Sequence, residues 1–248
     1  MIDHKIVING VAVQAQYSER ATDGVFLPFL QKLTTLQKMK GQRILVMLAA
    51  PPGAGKTTLN TFLSRLSRER KGISPIQAIG MDGFHRRQAY LLSHRTVRDG
   101  KSIPMVEVKG APETFDLEKL TEAIKKAASG ENCPWPAYDR MLHDPVENAV
   151  TVDGDIVLLE GNYLLLDEDG WRDLKAFADY TVFLRADESI LRARLIDRRM
   201  KTGVDRERAV RFVDFSDMPN VRLCLQKSLS ADLRLALGPD GDYSWDHD

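Results

Sequence analysis

The sequence of 248 residues has few features of secreted, metal-clustered or membrane proteins. Its two cysteines, Cys133 and Cys224, lie far apart and form no C-x-x-C pattern, so neither a disulfide framework nor a thiolate metal cluster is expected. No window approaches about 18 consecutive apolar residues, and the chain does not open with a basic segment followed by an apolar one. We therefore expect a soluble, untargeted, cytoplasmic protein with no membrane partner.

The chain also lacks net charge, because Lys plus Arg and Asp plus Glu each number 35. Without a net positive field it has no general attraction for nucleic acid, so no nucleic-acid partner is expected and any basic site must be local. Hydrophobic residues make up 43% of the chain, which is ample for a packed core. Length and composition together predict one main α/β domain.

What the chain does contain is a glycine-rich stretch, Ala50-Pro-Pro-Gly-Ala-Gly-Lys-Thr57, between an apolar run over 44–49 and a predicted helix. The spacing G-x-x-x-x-G-K-[ST] is typical of a phosphate-binding loop, in which backbone N–H groups surround phosphate oxygens. The lysine of such a loop contacts the β and γ phosphates, and the hydroxyl that follows it is a ligand for Mg²⁺. The residues expected to bind the nucleotide are Pro52, Gly53, Ala54, Gly55, Lys56, Thr57 and Thr58.

One position departs from the motif, because Ala50 stands where the first glycine is expected. Only a positive φ demands glycine, so the loop tolerates alanine there if the φ of Ala50 is negative. A glycine-rich strand-to-helix turn without a ligand is the alternative interpretation. Such a turn would not require Gly-Lys-Thr-Thr at the start of the helix, so the pattern favours phosphate binding.

Two further apolar runs end in a carboxylate, at Asp82 and at Glu160. Ligands bind at the carboxyl ends of the strands in open α/β sheets, so both side chains are expected near the phosphate loop. Mg²⁺ binds oxygen ligands and keeps several waters. We therefore expect Thr57, Glu160 and Asp82 to contact it directly or through water. An ordinary strand-end acid is the alternative for Glu160, and the presence of the phosphate loop favours the metal site.

The remaining patterns predict the rest of the chain. Asn9-Gly10 between two β-branched runs indicates an N-terminal β-hairpin, and apolar residues at helical spacing indicate a helix over 24–40. Residues 1–42 are thus expected to be an extension of a main domain over 43–248. The polar tract over 88–110 is expected to be a long loop or lid, and Pro134-Trp-Pro136 to be irregular chain.

Arg194 and Arg198 are four residues apart and share one face of a predicted helix. A solvated face is the usual explanation of such a charge run, and a clamp on a transferring phosphoryl group is the alternative.

These motifs resemble those of the P-loop kinase superfamily that includes uridine kinase, phosphoribulokinase and bacterial pantothenate kinase, over about residues 43–237. Met81-Asp-Gly-Phe-His85 is similar to the family's D-[GS]-F segment, and Leu159-Glu-Gly161 is similar to the E-G that ends its metal-side strand. The stretch 109–116 is similar to the K-G-x-P-E-[ST]-[FY]-D of bacterial pantothenate kinases. Pro136-Ala-Tyr-Asp139 with His143 resembles the P-x-Y-D and histidine of uridine kinases, and 194–203 resembles the family's arginine-bearing lid.

The resemblance implies a three-layer α/β/α P-loop kinase fold around a mostly parallel five-stranded sheet, acting as a monomer or homodimer. It implies transfer of the γ-phosphoryl group of ATP, with Mg²⁺, to a hydroxyl of a small metabolite. Asp82 is then the base, and Lys56, Arg194 and Arg198 are further catalytic residues. The candidates for binding the acceptor are Phe84, His85, Arg86, Lys109, Tyr138, Arg140 and His143.

Two other functions stay open at this point. One is an NTP-hydrolysing regulator that phosphorylates no acceptor, although the nucleobase-specifying N-K-x-D of switch GTPases is absent. The other is a module that only senses ATP. Within the kinase interpretation, Lys109-Gly110-Ala111 stands where uridine kinases carry an aspartate that binds the ribose diol, so uridine is expected to be a poor acceptor.

Overall fold

In the computed structural model, which describes residues 1–8 and 11–246, the apolar runs form strands and the amphipathic segments form helices. The strands are, in chain order, β1 Ile2–Ile8, β2 Val11–Tyr17, β3 Ile44–Ala49, β4 Ile76–Gly80, β5 Arg95–Arg98, β6 Lys101–Pro104, β7 Cys133–Asp139, β8 Asp144–Val152, β9 Ile156–Gly161, β10 Tyr180–Ala186, β11 Leu233–Leu237 and β12 Tyr243–Trp245. The helices are α1 Glu19–Ala21, α2 Leu27–Lys40, α3 Lys56–Glu69, α4 Gln88–Ser93, α5 Leu117–Ala128, α6 Glu188–Met200, α7 Arg206–Phe212 and α8 Met218–Lys227.

The central sheet has the strand order β12-β11-β10-β3-β9-β4. The pairs among β11, β10, β3, β9 and β4 are parallel, and β12 pairs antiparallel with β11 at the edge. The expected mostly parallel sheet is therefore confirmed, with five parallel strands. The short sixth strand was not predicted, because it follows the turn at 238–241 and contributes only three residues.

The two faces of the sheet are covered by separate parts of the core. Ile44, Val46 and Leu48 of β3 belong to one buried cluster, and Leu45 and Met47 belong to the other. This alternation follows the two-residue period of a strand. Helices α2 and α3 contribute to the first cluster and α5 to the second, which gives the three α/β/α layers expected from the sequence.

The N-terminal hairpin strands β1 and β2 pair in the predicted antiparallel manner, while the Asn9-Gly10 turn lies outside the described residues. The hairpin packs on α3, where His4 Nε2 lies 3.1 Å from Thr61 Oγ1. Tyr17, at the end of β2, stacks on Phe62 of α3 with ring centroids 4.0 Å apart. Side chains from before and after residue 42 therefore share one core cluster.

Two expectations about irregular chain were wrong. The tract over 88–110 contains helix α4 and the antiparallel pair β5–β6, whose turn at Asp99 and Gly100 adopts positive φ. The segment Pro134-Trp-Pro136 lies within β7, which pairs with β8 and has a register shift between Trp135 and Ala137. A two-stranded ribbon leaves one edge of each strand unpaired, so it can accommodate prolines that a central strand could not.

No helix within residues 1–8 and 11–246 has the length and apolar character needed to cross a membrane.

Gly83 lies where the turn after β4 meets the β7–β8 hairpin. An ideal Cβ at Gly83 would overlap the carbonyl oxygen of Pro136 and lie 2.9 Å from the nitrogen of Ala137. Both neighbours are backbone atoms and cannot rotate away. The close approach of these segments therefore requires glycine.

We predict that Gly83→Ala lowers the free energy of unfolding by about 1–3 kcal/mol or more, because the added methyl group overpacks a rigid contact. Gly24→Ala is the matched control, since a Cβ there meets no atom within 4 Å. Chemical denaturation of the wild type and both variants measures the effect. Equal stability of all three proteins would contradict the proposed contact.

Candidate active site

The glycine-rich stretch forms the expected loop between β3 and α3. Gly53 and Gly55 adopt φ of 85° and 86°, in the left-handed region that glycine enters without steric cost. Ala50 is not among the residues with positive φ, which is the condition that its sequence position required. Helix α3 begins at Lys56, so its N-terminus adds partial positive charge where phosphate oxygens would bind.

Glu160 ends β9 directly beside this loop. In the parallel register it lies between Leu48 of β3 and Gly80 of β4, and it is only 3% exposed. Its Oε1 accepts a 2.7 Å hydrogen bond from Thr57 Oγ1, and its Oε2 lies 3.9 Å from Lys56 Nζ. Burial raises the pKa of the Glu160 carboxyl, with Lys56 opposing the shift.

The residues at this point fit a magnesium ion. Thr57 supplies a hydroxyl oxygen and Glu160 supplies a carboxylate, and Mg²⁺ prefers oxygen ligands. The Oε2 atom of Glu160 is buried and has no hydrogen-bond partner among the described residues, so a lone pair remains for a metal ion or its bound water. In the described chain no group of three or more His, Cys, Asp or Glu side chains could hold a metal.

Asp82 faces the same region from a 3-10 turn, Met81–Phe84, that follows β4. Side chains three residues apart in such a turn point in one direction, so Met81 and Phe84 both enter the core and Asp82 points elsewhere. Burial alone would raise the pKa of Asp82, but its interactions with His85 and Lys56 outweigh burial and lower the pKa. Asp82 is therefore an ionised carboxylate.

A cavity of about 440 Å³ lies beside these groups and includes Lys56 and Asp82 in its lining. Five of the seven predicted acceptor-binding residues line the cavity, namely His85, Lys109, Tyr138, Arg140 and His143. They come from the turn after β4, the segment before α5 and the β7–β8 hairpin. The fold thus brings together residues that are up to about sixty positions apart in the chain.

Phe84 and Arg86 do not line this cavity. Phe84 is buried against Trp135, with ring centroids 4.9 Å apart, because the 3-10 turn directs it into the core. The guanidinium of Arg86 lies 4.7 Å from the ring centroid of Tyr90 and 3.7 Å from Asp116. The structure therefore does not bring these two predicted side chains to the wall of this cavity.

The structure separates the two lid arginines. Arg194 Nη1 lies 3.3 Å from the carbonyl oxygen of Ala54, so its side chain rests on the phosphate loop and outside the cavity. Arg198 lines the cavity together with Arg199. The two positions differ by about one helical turn, roughly 6 Å along α6. The middle of α6 packs on the loop, where Leu191 and Leu195 lie against Gly53, and its last turn reaches the cavity.

Sequence reasoning missed several residues of the cavity wall, which are Gln88, Asn162, Thr202, Phe212, Asp217 and Asn220. Asn162 could have been found, because it follows Glu160-Gly161 at the carboxyl end of β9. Thr202 lies in the predicted lid over 194–203, and the remaining residues carry no motif. Asp217 and Asn220 belong to helical chain after the lid, whose placement depends on tertiary packing.

A larger cavity, of about 830 Å³, lies between the β5–β6 segment and residues 167–172. It contains neither Lys56 nor Asp82, and its arginines already pair, Arg98 with Glu113 at 2.6 Å and Arg172 with Asp167 at 3.1 Å. The smaller cavity is therefore the candidate active site.

The chain is similar to known proteins in sequence and in fold. A sequence profile of the "Phosphoribulokinase / Uridine kinase family" matches residues 45–244. The Escherichia coli (strain K12) protein "Uncharacterized protein YggC" is 40% identical over 240 residues, covering 96% of this chain and 97% of that protein. The Schizosaccharomyces pombe protein "Putative uridine kinase C227.14" is 32% identical over 201 residues, covering 78% of this chain and 83% of that protein. Among solved structures, a "putative fructose transport system kinase" from Silicibacter sp. has a TM-score of 0.71 at 31% identity, covering 83% of this chain and 98% of that chain.

We predict that Glu160→Gln weakens Mg²⁺ binding about 10- to 100-fold, the usual size of effect for losing a group around a bound metal. The substitution keeps the shape and the bond from Thr57 but removes the charge. Calorimetric titration of Mg²⁺ into protein saturated with a non-hydrolysable ATP analogue measures it. Glu131→Gln, an exposed acid outside the cavity, is the control. Unchanged Mg²⁺ affinity would remove Glu160 from the metal site.

Proposed function

The chain belongs to the phosphoribulokinase and uridine kinase family of small-molecule kinases, and on that premise we propose that it transfers the γ-phosphoryl group of ATP to a hydroxyl group of a small metabolite. The observation that carries the proposal is the convergence of Lys56, Asp82 and Arg198 on one cavity. The relatives' names mention different substrates, so they do not identify the acceptor.

In the proposed reaction, the loop amides and Lys56 hold the phosphates of ATP. Bound Mg²⁺ would neutralise part of the negative charge of the phosphates, and Thr57 and Glu160 are the residues that would hold it. The acceptor oxygen forms a bond to the γ-phosphorus while the bond from that phosphorus to the β-phosphate oxygen breaks. Asp82 takes the proton of the hydroxyl, and ADP leaves. Arg198 stabilises the charge of the transferring group.

Transfer to an acceptor is favoured over hydrolysis by the cavity itself. Its wall beyond Asp82 carries hydrogen-bonding side chains of three separate segments, including Lys109, Tyr138 and Arg140. A hydrolase that activates only water would need no such wall. Burial raises the pKa of Tyr138 to about 12, so its phenol stays protonated and can donate a hydrogen bond to an acceptor.

A metabolite library tests the proposed function. We expect ADP release to require an acceptor from a set of nucleosides, sugars, hydroxy acids and vitamins, and mass spectrometry to show a phosphorylated product. Uridine and cytidine should be poor acceptors, because Gly110 and Ala111 offer no carboxylate for the ribose diol. A missing partner for a bound hydroxyl can cost about 10⁴-fold in kcat/KM. ADP release that no acceptor stimulates would favour the hydrolase instead.

We predict that Asp82→Asn lowers kcat by about 10² to 10⁴-fold, the usual contribution of a general base. Nucleotide affinity should change only a few-fold, because the loop amides and Lys56 hold the phosphates. Calorimetry with ATP analogue and product formation with the identified acceptor measure the two effects. The control is Asp99→Asn, in the exposed β5–β6 turn. Normal turnover of Asp82→Asn would exclude Asp82 as the base.

The separation of the lid arginines gives another prediction. Arg198→Ala should lower kcat by about 10³-fold, since arginine contacts to a transferring phosphoryl group have effects of this size. Arg194→Ala should lower kcat less, because Arg194 acts only through the loop carbonyls. Arg192→Ala, which removes an exposed pair with Asp214, is the control on the same helix. Steady-state kinetics measures all three, and equal losses for Arg194→Ala and Arg198→Ala would contradict the assignment.

A further inference from the structure

One wall of the cavity carries the ammonium group of Lys109, which is hydrogen-bonded to uncharged groups. The ammonium of Lys109 donates hydrogen bonds to Gln88 Oε1 at 2.8 Å and to the carbonyl oxygen of His143 at 2.9 Å. It also lies 5.0 Å from the ring centroid of Tyr138. All three neighbours are uncharged, and Lys109 forms no ion pair within residues 1–8 and 11–246. Its pKa is lowered by partial burial, with Asp144 opposing the shift.

Arg140 adds a second cation to the same wall. Its side chain lines the cavity from the β7–β8 hairpin, and it forms no hydrogen bond or ion pair with the part of the chain that the structure describes. Its charge contributes to the lowered pKa of Asp82, which places the guanidinium near the proposed base. Lys109 and Arg140 are therefore two cations beside the position of the acceptor.

The carboxylates of the hairpin do not balance these charges. Asp139 Oδ1 accepts hydrogen bonds from the backbone nitrogens of Met141 and Leu142, at 2.7 and 3.1 Å. Asp144 Oδ1 accepts from the backbone nitrogen of Gln88 at 2.6 Å. Neither Asp139 nor Asp144 lines the cavity. Both accept hydrogen bonds from backbone groups, and neither forms an ion pair with Lys109 or Arg140 among the described residues, although Asp144 is near enough to act on the pKa of Lys109.

The carboxylates that line the cavity are assigned to other groups. Asp82 is assigned to the acceptor hydroxyl, and Asp217 lies near Arg198 and Arg199, whose charges lower its pKa against the larger effect of burial. The phosphates of ATP do not account for Lys109 either. That side chain bonds to α4 and to the hairpin, whereas the phosphate loop supplies Lys56 and the N-terminus of α3 for the nucleotide.

We propose that the phosphoryl acceptor is an anion, a small hydroxy compound that carries a carboxylate or a phosphate group bound by Lys109 and Arg140. This inference rests on the proposed function and specifies its substrate class. An anionic group would receive charge-assisted hydrogen bonds, which are roughly twice as strong as neutral ones. Its attachment on this wall would direct the hydroxyl of the same molecule toward Asp82. A neutral polyol would leave the partly buried ammonium of Lys109 without a counter-charge.

Matched pairs of compounds test the charge of the acceptor. Each pair shares a hydroxyl framework, as in glycerol with glycerate and glycerol 3-phosphate, fructose with fructose 6-phosphate, and ribose with ribose 5-phosphate. Calorimetry on the full chain saturated with Mg²⁺ and a non-hydrolysable ATP analogue measures their binding without requiring turnover. We expect an anionic member to bind at least about 10-fold more tightly than its neutral counterpart, because hydrogen bonds to charged groups contribute more free energy than neutral ones. Comparison of the affinity for the carboxylate with the affinities for the phosphates shows which anion is preferred.

Variants assign the effect to the two side chains. Lys109→Met and Arg140→Leu should each weaken binding of the preferred anion by about 10-fold or more. Arg140 has no bonds to lose, so Arg140→Leu keeps the test valid if Lys109→Met folds poorly. The controls are Lys126→Met on the exposed side of α5 and Arg68→Leu at the end of α3, which remove the same charges outside the cavity.

The outcomes separate this inference from the proposed function. Equal or tighter binding of the neutral member in every pair, no binding by any anionic member, or full binding by both cavity variants would overturn the inference. Phosphorylation of a neutral compound alone would overturn it while leaving the kinase function in place. Binding of an anion that ATP never phosphorylates would support the charge preference and contradict the transfer reaction.

Discussion

The site depends on the parallel alignment of β9 between β3 and β4. This register places the last residues of three strands at one edge of the sheet, so that Glu160 lies opposite Leu48 and Gly80. Gly80 leaves the space that the Glu160 carboxylate occupies, since an added Cβ there would lie 3.0 Å from Oε1. The hydrogen bond from Thr57 then links the strand end to the first turn of α3, and the phosphate loop is held between them.

Two carboxylates within this region have opposite environments. Burial dominates at Glu160 and raises its pKa, while the surrounding cations lower the pKa of Asp82. Pairs of acids whose surroundings shift their pKa values apart often have different roles in a reaction. Here the buried acid is suited to hold a metal ion and its water, and the ionised acid is suited to accept a proton.

The elements at the two ends of the chain stabilise the helix that begins at the phosphate loop. Besides the Tyr17–Phe62 stack, Arg65 of α3 donates a 3.0 Å hydrogen bond to the carbonyl oxygen of Asp3 in β1. Tyr243 of the edge strand β12 packs against Phe26 with ring centroids 5.3 Å apart. An extension that looks peripheral in the sequence therefore contributes aromatic packing behind the nucleotide-binding face.

The sequence alone determined the features that depend on neighbouring residues. The phosphate loop, the strand-end positions of Asp82 and Glu160 and the mostly parallel sheet follow from spacing and apolar runs, because strand and loop signals are local. Tertiary structure decided which side chains meet. Phe84 enters the core, Arg194 rests on the loop and Arg198 reaches the cavity, although the sequence motifs made all three candidate site residues. Asp217 and Asn220 joined the wall without any signal in the sequence, since the direction of a side chain depends on how its helix packs, and distant segments set that packing.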